Sequence, residues 1–250
     1  MKFNRLQEME SYIRKNHSVT NEELVEHFNI SLQTLRRDLK ELEKRNVITK
    51  VYGGVVACQQ KISPALLPML SQRMTTNILE KNQIGQSASK LIQDGDVIFV
   101  DSGSTAYTII PYIQQAKVTV ISHSIDVMNA IQQSETVTGI CLGGKLNKQT
   151  QSFYSDVSLN SYYYNKAFIA TVGLSLSKGL TNMDINEGII KQSVIQNSEE
   201  VWIMADHTKF GNVTFNKFSD LNGITGIITD KKPDPCFLQF FKNQKVKVIY

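Results

Sequence analysis

The sequence predicts an α/β protein: a winged helix-turn-helix domain at residues 1–57, a linker and connecting helix at 58–80, and a larger α/β domain at 81–250. Two observations support this division. The first sixty residues show three short helical patterns with apolar stripes, followed by a β-branched segment broken by two glycines. From Lys81 onward, helical segments alternate with β-branched runs, which is typical of a mostly parallel sheet covered by helices.

The composition, with 41% hydrophobic and 20% charged residues, is that of a globular protein. The polar N-terminus lacks the apolar core of a signal peptide, and no apolar run approaches the roughly 20 residues that span a bilayer. We therefore expect a cytoplasmic protein that does not enter a membrane. Three widely spaced cysteines without a CxxC pair favour neither a disulfide framework nor a zinc site, so we expect no metal and no cofactor.

The helix-turn-helix prediction rests on spacing and caps. Leu6, Met9 and Ile13 predict a first helix that ends near residue 16, followed by a short connection at residues 17 and 18. Thr20 and Glu23 fit a capping box, in which the threonine oxygen and the glutamate carboxylate satisfy free backbone donors at a helix start. A second helix is therefore predicted from about 21 to 27.

A third helix is predicted after Ser31, which can cap it, with an inward stripe of Leu32, Leu35, Leu39 and Leu42. A short helix, a turn and a second helix with polar and basic residues in its N-terminal half is the arrangement that enters a DNA major groove. A charged helix can also be a plain solvated face, but the segment 47–56, predicted as a hairpin or wing, completes a DNA-binding order. The candidate DNA-binding residues are Ser31, Gln33, Thr34, Arg36, Arg37, Lys40, Lys50 and Tyr52.

Within this set, the expected roles differ. Gln33, Thr34 and Arg36 are expected to read base edges, whereas Arg37 and Lys40 neutralise phosphates. Lys50 and Tyr52 of the wing are expected to touch the DNA backbone. The stretch 31–50 contains six basic and three acidic residues, a local positive surplus that fits this surface.

The larger domain contains six predicted strands, at 97–100, 118–121, 137–142, 167–172, 201–205 and 224–229. Ligands of such sheets bind beyond the carboxyl ends of the strands, so the polar residues that follow each strand are candidates. The run 101–105, Asp-Ser-Gly-Ser-Thr, can cradle a phosphate at a helix start, or it can be a tight structural turn.

Three later groups extend this candidate site. Gly143 and Gly144 either permit close approach of a ligand or serve a steric role in a turn. Asp206 and Lys209 place a carboxylate and an ammonium where hydroxyl and phosphate groups could be held. Glu187 and Lys191, four apart on a predicted helix, form either a surface ion pair or part of a polar pocket.

These residues also bear a family resemblance that covers essentially the whole chain. Ser31-x-x-Thr34-x-Arg36-Arg37-Asp38-Leu39 with Gly53-Gly54 resembles the N-terminal signature of the DeoR family of repressors. Asp101-x-Gly103-x-Thr105 and Asp206-x-x-Lys209-Phe-Gly211 resemble its effector domain, whose fold is similar to that of ribose-5-phosphate isomerase. By this resemblance, residues 101–105 hold a phosphate, with Lys209 and Glu187 near the sugar. The candidate effector-binding residues are Asp101, Ser102, Gly103, Ser104, Thr105, His123, Gly143, Gly144, Lys145, Ser152, Glu187, Lys191, Asp206 and Lys209.

Within the family, the Val51-Tyr-Gly-Gly-Val55 wing and Leu180-Thr-Asn182-x-Asp184 look most like the inositol-catabolism repressor subgroup. That likeness implies a phosphorylated keto-deoxy-gluconate effector. The sequence departs from the family pattern at Ser104, where threonine is usual, at His123, where asparagine is usual, and at Tyr154-Ser155, where Val-Gly is usual. A single histidine is also commonly a structural imidazole, so His123 has two interpretations.

The resemblance implies a DNA-binding repressor of a carbohydrate-catabolism operon, relieved by a phosphorylated sugar or keto-sugar acid. We expect a homo-oligomer, dimer or tetramer, on double-stranded operator DNA. The alternative is a sugar-phosphate isomerase-like enzyme with a fused DNA-binding module, because fold alone does not decide function; the fused module favours a protein that is not an enzyme. A nucleotide-sensing redox repressor is disfavoured, since no GxGxxG follows a predicted strand.

Overall fold

The computed structural model describes residues 2–16, 18–44, 48–51, 53–57, 68–113, 115–154 and 161–250. The chain divides into two compact units, Met1–Lys61 and Ile62–Tyr250. Every helix within the described ranges is too short or too polar to traverse a bilayer. The predicted fold class, a winged helix-turn-helix followed by a larger α/β domain, is confirmed.

The first unit combines three helices with a small antiparallel sheet of strand order β1-β3-β2. Its elements in chain order are α1 (Lys2–Asn16), β1 (Ser18–Thr20), α2 (Asn21–Phe28), α3 (Leu32–Lys44), β2 (Ile48–Val51) and β3 (Gly54–Ala57). The wing is thus β2 and β3. Strand β1, which pairs with β3, lies where the sequence predicted a simple connection.

Local hydrogen bonds start the helices as predicted. The Glu23 amide donates to Thr20 Oγ1 at 3.2 Å and the Thr20 amide donates to Glu23 Oε2 at 2.8 Å, which completes the capping box of α2. The Thr34 amide donates to Ser31 Oγ at 3.2 Å at the start of α3. Asn29 closes α2 in the left-handed conformation, φ 48°, which asparagine tolerates better than most residues.

The core of the first unit lies between its helices and its sheet. It contains Leu6, Met9, Ile13, Val19, Leu24, Leu35, Leu39, Leu42, Ile48 and Val55. The prediction that Leu32 faces inward is wrong, because its side chain is 53% exposed. Helical side chains point toward the N-terminus, so a side chain at the first position of α3 extends past the end of the helix.

The second unit is built on a seven-stranded parallel sheet of order β15-β14-β12-β9-β4-β5-β6. Its elements in chain order are α4 (Leu70–Thr75), α5 (Ile78–Ser89), β4 (Val97–Val100), α6 (Ser104–Tyr107), β5 (Val118–Ser122), α7 (Ile125–Ile131), β6 (Val137–Cys141), β7 (Lys145–Asn147), β8 (Ser152–Tyr154), β9 (Tyr164–Ala170), β10 (Gly173–Ser175), β11 (Gly179–Asn182), α8 (Ile185–Gln196), β12 (Ser198–Met204), β13 (Asn216–Ser219), β14 (Gly226–Ile228), α9 (Pro235–Asn243) and β15 (Lys247–Ile249). The six predicted strands are β4, β5, β6, β9, β12 and β14. Strand β15, the antiparallel sheet β10-β11-β13 and the hairpin β7-β8 were not predicted.

Both faces of the central strands of the parallel sheet are buried, which explains the continuous apolar runs in β4, β9 and β12. Alternate residues such as Phe99 and Ile203 pack on one face with α8 and α9. Their neighbours Val100 and Trp202 pack on the other face with α5, α6 and α7. Polar side chains are therefore left to the strand ends.

Helix α4 belongs to the second unit, although the sequence placed residues 58–80 in a linker and connecting helix. Leu70 is buried, and its amide donates to the carbonyl oxygen of Gln149 at 3.1 Å. Helix α5 begins at Ile78, ahead of the predicted domain start at Lys81. The reason for the difference is packing: α4 lies against α6, so its apolar surface is covered by this unit.

Candidate functional site

A cavity of about 260 Å³ lies in the second unit, where the polar residues that follow β4, β9 and β12 meet α4 and α5. Seven of the predicted effector residues line it: Gly103, Ser104, Thr105, Glu187, Lys191, Asp206 and Lys209. The structure also places around it residues that were not predicted to bind the effector: Pro68, Gln72, Arg73, Thr76, Asn77, Lys81, Ala170, Thr171, Val172, Asn182 and Met183.

A buried ion pair lies behind the cavity wall. Lys191 Nζ donates to Asp101 Oδ2 at 2.6 Å and to the carbonyl oxygen of Ala170 at 2.8 Å. Burial raises the pKa of Asp101, but the charge of Lys191 and the hydrogen bonds from Lys191 and the Ala170 amide lower it by more, so the net pKa of the carboxyl lies below its ordinary value. Asp101 is thus a charged, fully buried anchor that positions Lys191.

Glu187 is buried on the first turn of α8 and is held by three side chains. Its Oε1 accepts from Ser102 Oγ at 3.2 Å and from Ser152 Oγ at 3.4 Å, while Oε2 accepts from Asn182 Nδ2 at 3.0 Å. Ser102 and Ser152 therefore support Glu187 from behind. The surface ion pair considered for Glu187 and Lys191 is wrong, because both side chains are buried and Lys191 pairs with Asp101.

The predicted phosphate turn leads into α6. A Cβ atom on Gly103 would lie 2.4 Å from Ala170 Cβ, so the close approach of the turn to β9 requires glycine. Gly103 is also the N-cap, and none of the described side chains caps this helix start. The first backbone donors of α6 are therefore left for a ligand or for water, next to the hydroxyls of Ser104 and Thr105.

The opposite wall carries Asp206, Lys209 and Lys81. Lys209 Nζ lies 3.8 Å from Asp206 Oδ2, and Asn77 Nδ2 donates to Asp206 Oδ1 at 3.5 Å. Lys81 is buried, and its ammonium donates to the carbonyl oxygen of Arg73. Burial lowers the pKa of Lys81 to about 8, while the charge of Asp206 opposes that shift.

The lining is rich in positive charge. Four cationic side chains, Arg73, Lys81, Lys191 and Lys209, face two carboxylates, Glu187 and Asp206. Lys191 and Lys209 each have a carboxylate within 4 Å, whereas Arg73 and Lys81 have none among the described residues. Burial lowers the pKa of the Arg73 guanidinium, which Glu187 and Asp101 oppose from a distance. A cavity of this kind suits an anionic ligand.

Four predicted effector residues lie away from the lining. Gly143, Gly144 and Lys145 are exposed beyond β6, which is the edge strand of the parallel sheet. His123 is fully buried, with its ring 5.7 Å from that of Phe99 and nearly parallel to it. Neither of its nitrogens has a hydrogen-bond partner among the described residues, and burial lowers its pKa, which favours the neutral imidazole.

The candidate DNA surface lies on α3 and the wing. Gln33, Arg36, Arg37 and Lys40 are exposed, as are Ser31 and, in part, Thr34. Lys50 is exposed and its Nζ lies 2.7 Å from Glu43 Oε2. Tyr52 lies outside the described residues.

Asp38 has a structural role that the sequence did not reveal. It is fully buried on α3 and accepts from Arg5 Nε of α1 at 2.7 Å. The pair fixes the predicted recognition helix against the first helix of its unit.

Comparison with known families agrees with both units. Residues 5–61 match the DeoR-like helix-turn-helix domain and residues 76–231 match the DeoR C terminal sensor domain. The chain belongs to the DeoR family. In this DeoR protein, Arg73 lies between the two matched ranges.

This chain aligns with three curated relatives over nearly the whole length of each. The HTH-type transcriptional regulator IolR of Bacillus subtilis is 34% identical over 99% of both chains. The HTH-type transcriptional repressor GlcR of the same species is 32% identical over 95% of this chain and 92% of its own. The lactose phosphotransferase system repressor of Staphylococcus epidermidis is 30% identical over 92% of both.

Solved structures match parts of this DeoR protein. Ribose 5-phosphate isomerase A from Methanocaldococcus jannaschii is 20% identical, with a TM-score of 0.42, over 54% of this chain and 55% of its own. The delta subunit of translation initiation factor eIF-2B from A. fulgidus is 12% identical, with a TM-score of 0.43, over 86% of this chain and 68% of its own.

Lys81 could have been found from the sequence. It occupies the buried stripe of α5 with Ile84, Gly85 and Ala88, and a charged residue on an apolar stripe needs a buried partner. Arg73 offers no such signal, because α4 has only six residues and follows a segment with two prolines.

Proposed function

We propose that this DeoR-family protein represses a carbohydrate-catabolism operon by binding operator DNA through α3, and that a phosphorylated sugar or sugar acid in the cavity relieves repression. The observation that carries the proposal is the positive lining of the cavity, where Arg73 and Lys81 have no carboxylate within 4 Å among the described residues. Relatives named as repressors, one of them of a lactose phosphotransferase system, support the regulatory part.

The proposed division of labour follows from chemistry and exposure. The cationic groups and the uncapped start of α6 would bind a phosphate, while Glu187 and Asp206 would accept hydrogen bonds from ligand hydroxyls. The motifs that resemble the inositol-catabolism repressors narrow the proposed effector to a phosphorylated keto-deoxy-gluconate. On α3, Gln33 and Arg36 would read bases in the major groove.

Relief of repression requires that the effector favour a state with lower affinity for DNA, because only differential affinity shifts an equilibrium. A coupling of about 1–3 kcal/mol corresponds to roughly 5- to 150-fold weaker operator binding. A homo-oligomer, dimer or tetramer, would place two or more copies of α3 on a repeated operator.

The effector proposal is tested by thermal unfolding of the full chain with a panel of sugar phosphates, each paired with its unphosphorylated parent. A ligand at 100 times its Kd stabilises by about 2.7 kcal/mol, or roughly 5–10 °C for a domain of this size. The expected shift is confined to phosphorylated members and is lost in Lys209→Ala. No shift with any phosphate contradicts the proposal, and turnover of a sugar phosphate in the same samples favours the isomerase-like alternative.

The DNA-binding proposal is tested on duplexes selected from a random-sequence pool by the wild-type protein. Arg36→Ala is expected to lose discrimination between selected and scrambled duplexes. Lys40→Ala is the matched control, because loss of a phosphate contact weakens binding to both duplexes equally and lowers its salt dependence. Retained discrimination in Arg36→Ala would show that this arginine does not read bases.

A further inference from the structure

His207 lies outside the cavity lining, three residues after β12, and is clamped by one buried carboxylate. Its ring Nδ1 lies 2.7 Å from Asp230 Oδ2, and its main-chain amide donates to Asp230 Oδ1 at 2.7 Å. The Asp230 side chain is 1% exposed, and its carbonyl oxygen accepts from Gln83 Nε2 of α5 at 3.2 Å. The same carboxylate therefore fixes both the ring and the backbone of His207.

The clamp determines which ring nitrogen carries the hydrogen. A carboxylate only accepts hydrogen bonds, so Nδ1 of the neutral ring carries the hydrogen and Nε2 has the lone pair. Because Nδ1 faces a buried group, the exposed part of the side chain, 38% in all, is the edge that contains Nε2. Lys231 Nζ lies 3.4 Å from Nε2. His207 thus presents an oriented, accessible nitrogen with a positive charge beside it.

The other two histidines that the structure describes lack this arrangement. His27 is exposed, but its ring stacks on that of Tyr12 with 3.9 Å between the centroids. His123 is fully buried, and its ring stacks on that of Phe99. Within the described residues, a carboxylate partner, an accessible Nε2 and a neighbouring cation coincide at His207 alone.

A neutral imidazole held in this way is a nucleophile. Histidine forms covalent intermediates through a ring nitrogen. A carboxylate on the opposite nitrogen orients the ring and stabilises the positive charge that the ring gains when Nε2 forms a bond. The ammonium of Lys231 favours an incoming group that brings negative charge. A phosphoryl group brings nearly two negative charges, whereas an acyl group brings none, so the surroundings of Nε2 suit phosphoryl transfer.

We propose that His207 is a phosphorylation site, which accepts a phosphoryl group at Nε2 from a phosphohistidine of another protein. The Nε2 lone pair forms a new P–N bond while the P–N bond of the donor breaks, and the donor nitrogen keeps the bonding electron pair. The donor ring enters as an imidazolium and leaves as neutral imidazole, while His207 becomes the imidazolium, so protons and charge balance. One P–N bond replaces another, and the transfer needs no further source of energy.

The product is stabilised on both sides of the ring. Nδ1–H of the phosphorylated imidazolium faces Asp230, and Lys231 pairs with the phosphoryl oxygens. The modified residue begins the short helical turn His207–Lys209, which follows Asp206. Asp206 and Lys209 line the cavity, so phosphorylation places about two negative charges beside one cavity wall.

The test incubates the full chain with phosphoramidate, a small donor that contains a P–N bond and releases ammonia. Mass spectrometry above neutral pH follows the peptide of each histidine over time, because phosphohistidine hydrolyses in acid. Phosphorus NMR distinguishes the Nε2 product from the Nδ1 product. N-acetylhistidine in a parallel sample gives the rate of a free imidazole. The variants are His207→Gln, Asp230→Asn and Lys231→Gln, with His27→Gln as the matched control.

The expected product is one phosphoryl group on Nε2 of His207, formed roughly 10- to 150-fold faster than on free imidazole, the factor that one hydrogen bond to a charged group supplies. His207→Gln abolishes this product and His27→Gln leaves its rate unchanged. Asp230→Asn slows the reaction, because asparagine has no charge and offers one acceptor oxygen to two donors. Lys231→Gln also slows it, and since Lys231 is exposed, this variant provides the test if Asp230→Asn fails to fold.

Three results would overturn the proposal. Phosphorylation of His207 no faster than that of free imidazole would show that the clamp does not activate the ring. A product at Nδ1 would show that Asp230 does not determine the reactive nitrogen. Wild-type rates in both Asp230→Asn and Lys231→Gln would remove the role of the surrounding charges. Since none of these measurements involves a ligand of the cavity, they leave the proposed function untouched.

Discussion

The buried pair of Lys191 and Asp101 is predicted to be the most costly ion pair to break in the second unit. Replacing Lys191 by methionine removes two hydrogen bonds, of 2.6 Å to Asp101 Oδ2 and 2.8 Å to the Ala170 carbonyl oxygen. Asp101, a fully buried carboxylate, then keeps one hydrogen-bond donor among the described residues, the Ala170 amide at 3.1 Å. Leaving such a charge without its partner costs about 3–5 kcal/mol.

The measurement is denaturant unfolding followed by tryptophan fluorescence. Trp202 is the sole tryptophan of the chain and is buried on β12, so its emission reports unfolding of the second unit alone. Lys217→Met is the matched control, because Lys217 pairs with Asp220 at the same distance of 2.6 Å but both side chains are about half exposed or more. Exposed pairs contribute about 0–1 kcal/mol.

The double variant Lys191→Met with Asp101→Asn separates lost attraction from an unpaired charge. It is expected to recover much of the loss, because neither remaining group is ionised. In wild type the pKa of Asp101 lies below its ordinary value, so its stabilising contribution is present above about pH 4 and is lost as the pH falls through the native pKa. The gap between wild type and Lys191→Met should therefore narrow in acid. A loss no larger than that of Lys217→Met at pH 7 would refute the reasoning.

Two other outcomes test the site and the wing. Because burial lowers the pKa of Lys81 to about 8, hexose phosphate affinity measured by calorimetry should fall by up to tenfold per pH unit above about pH 8. The phosphate has a second pKa near 6 and stays dianionic in this pH range. The affinity of Lys81→Met should therefore not fall above pH 8. An equal fall in that variant would show that a group other than Lys81 titrates. In the wing, a Cβ atom on Gly54 would lie 2.5 Å from the carbonyl oxygen of Val19, so Gly54→Ala should destabilise the first unit by about 1–3 kcal/mol in circular dichroism melts. A Cβ atom on Gly53 would meet no atom of the described residues within 4 Å, so Gly53→Ala adds only the strain of φ +78°. Equal losses of stability in the two variants would contradict the packing argument.

Elements of the first unit that depend on near neighbours were predictable. The capping box of Thr20 and Glu23 involves residues three apart, and the helical stripes repeat every three or four residues. Strand β1 was missed because its three residues form a strand only by pairing with β3, more than thirty residues later. The spacing of residues within a short segment does not indicate such a distant pairing partner.

The same distinction separates the sheets of the second unit. Six strands of the parallel sheet were predictable from β-branched and apolar runs, and the runs of the central strands follow from burial on both faces. Strands β10 and β11 are short, contain glycine and polar residues, and are stabilised by pairing with each other and with β13. Their existence depends on tertiary contacts that no local pattern encodes.

At the site, residues at strand ends were predictable and those from α4 were not. The rule that ligands bind beyond the carboxyl ends of strands led to 103–105, Asp206 and Lys209. It also led to Gly143 and Gly144, which follow β6 but lie beyond the cavity because β6 is at the edge of the sheet. The order of strands in the sheet decides which strand ends lie at the cavity, and that order is set by the fold as a whole.

A charged residue on the apolar stripe of a helix can have a structural or a functional role. The partner of the charge in the folded structure distinguishes the two. Such a charge is costly unless it is paired. Asp38 is paired with Arg5, and Lys191 with Asp101, so each charge is balanced within its own unit. Lys81, on the buried stripe of α5, instead meets the carbonyl oxygen of Arg73, beside a second cation. A folded chain that places positive charges at a cavity wall, with no carboxylate of the described residues within 4 Å of them, is stabilised when an anion binds there. The unbalanced pair therefore identifies the wall of the cavity at which the effector phosphate is expected.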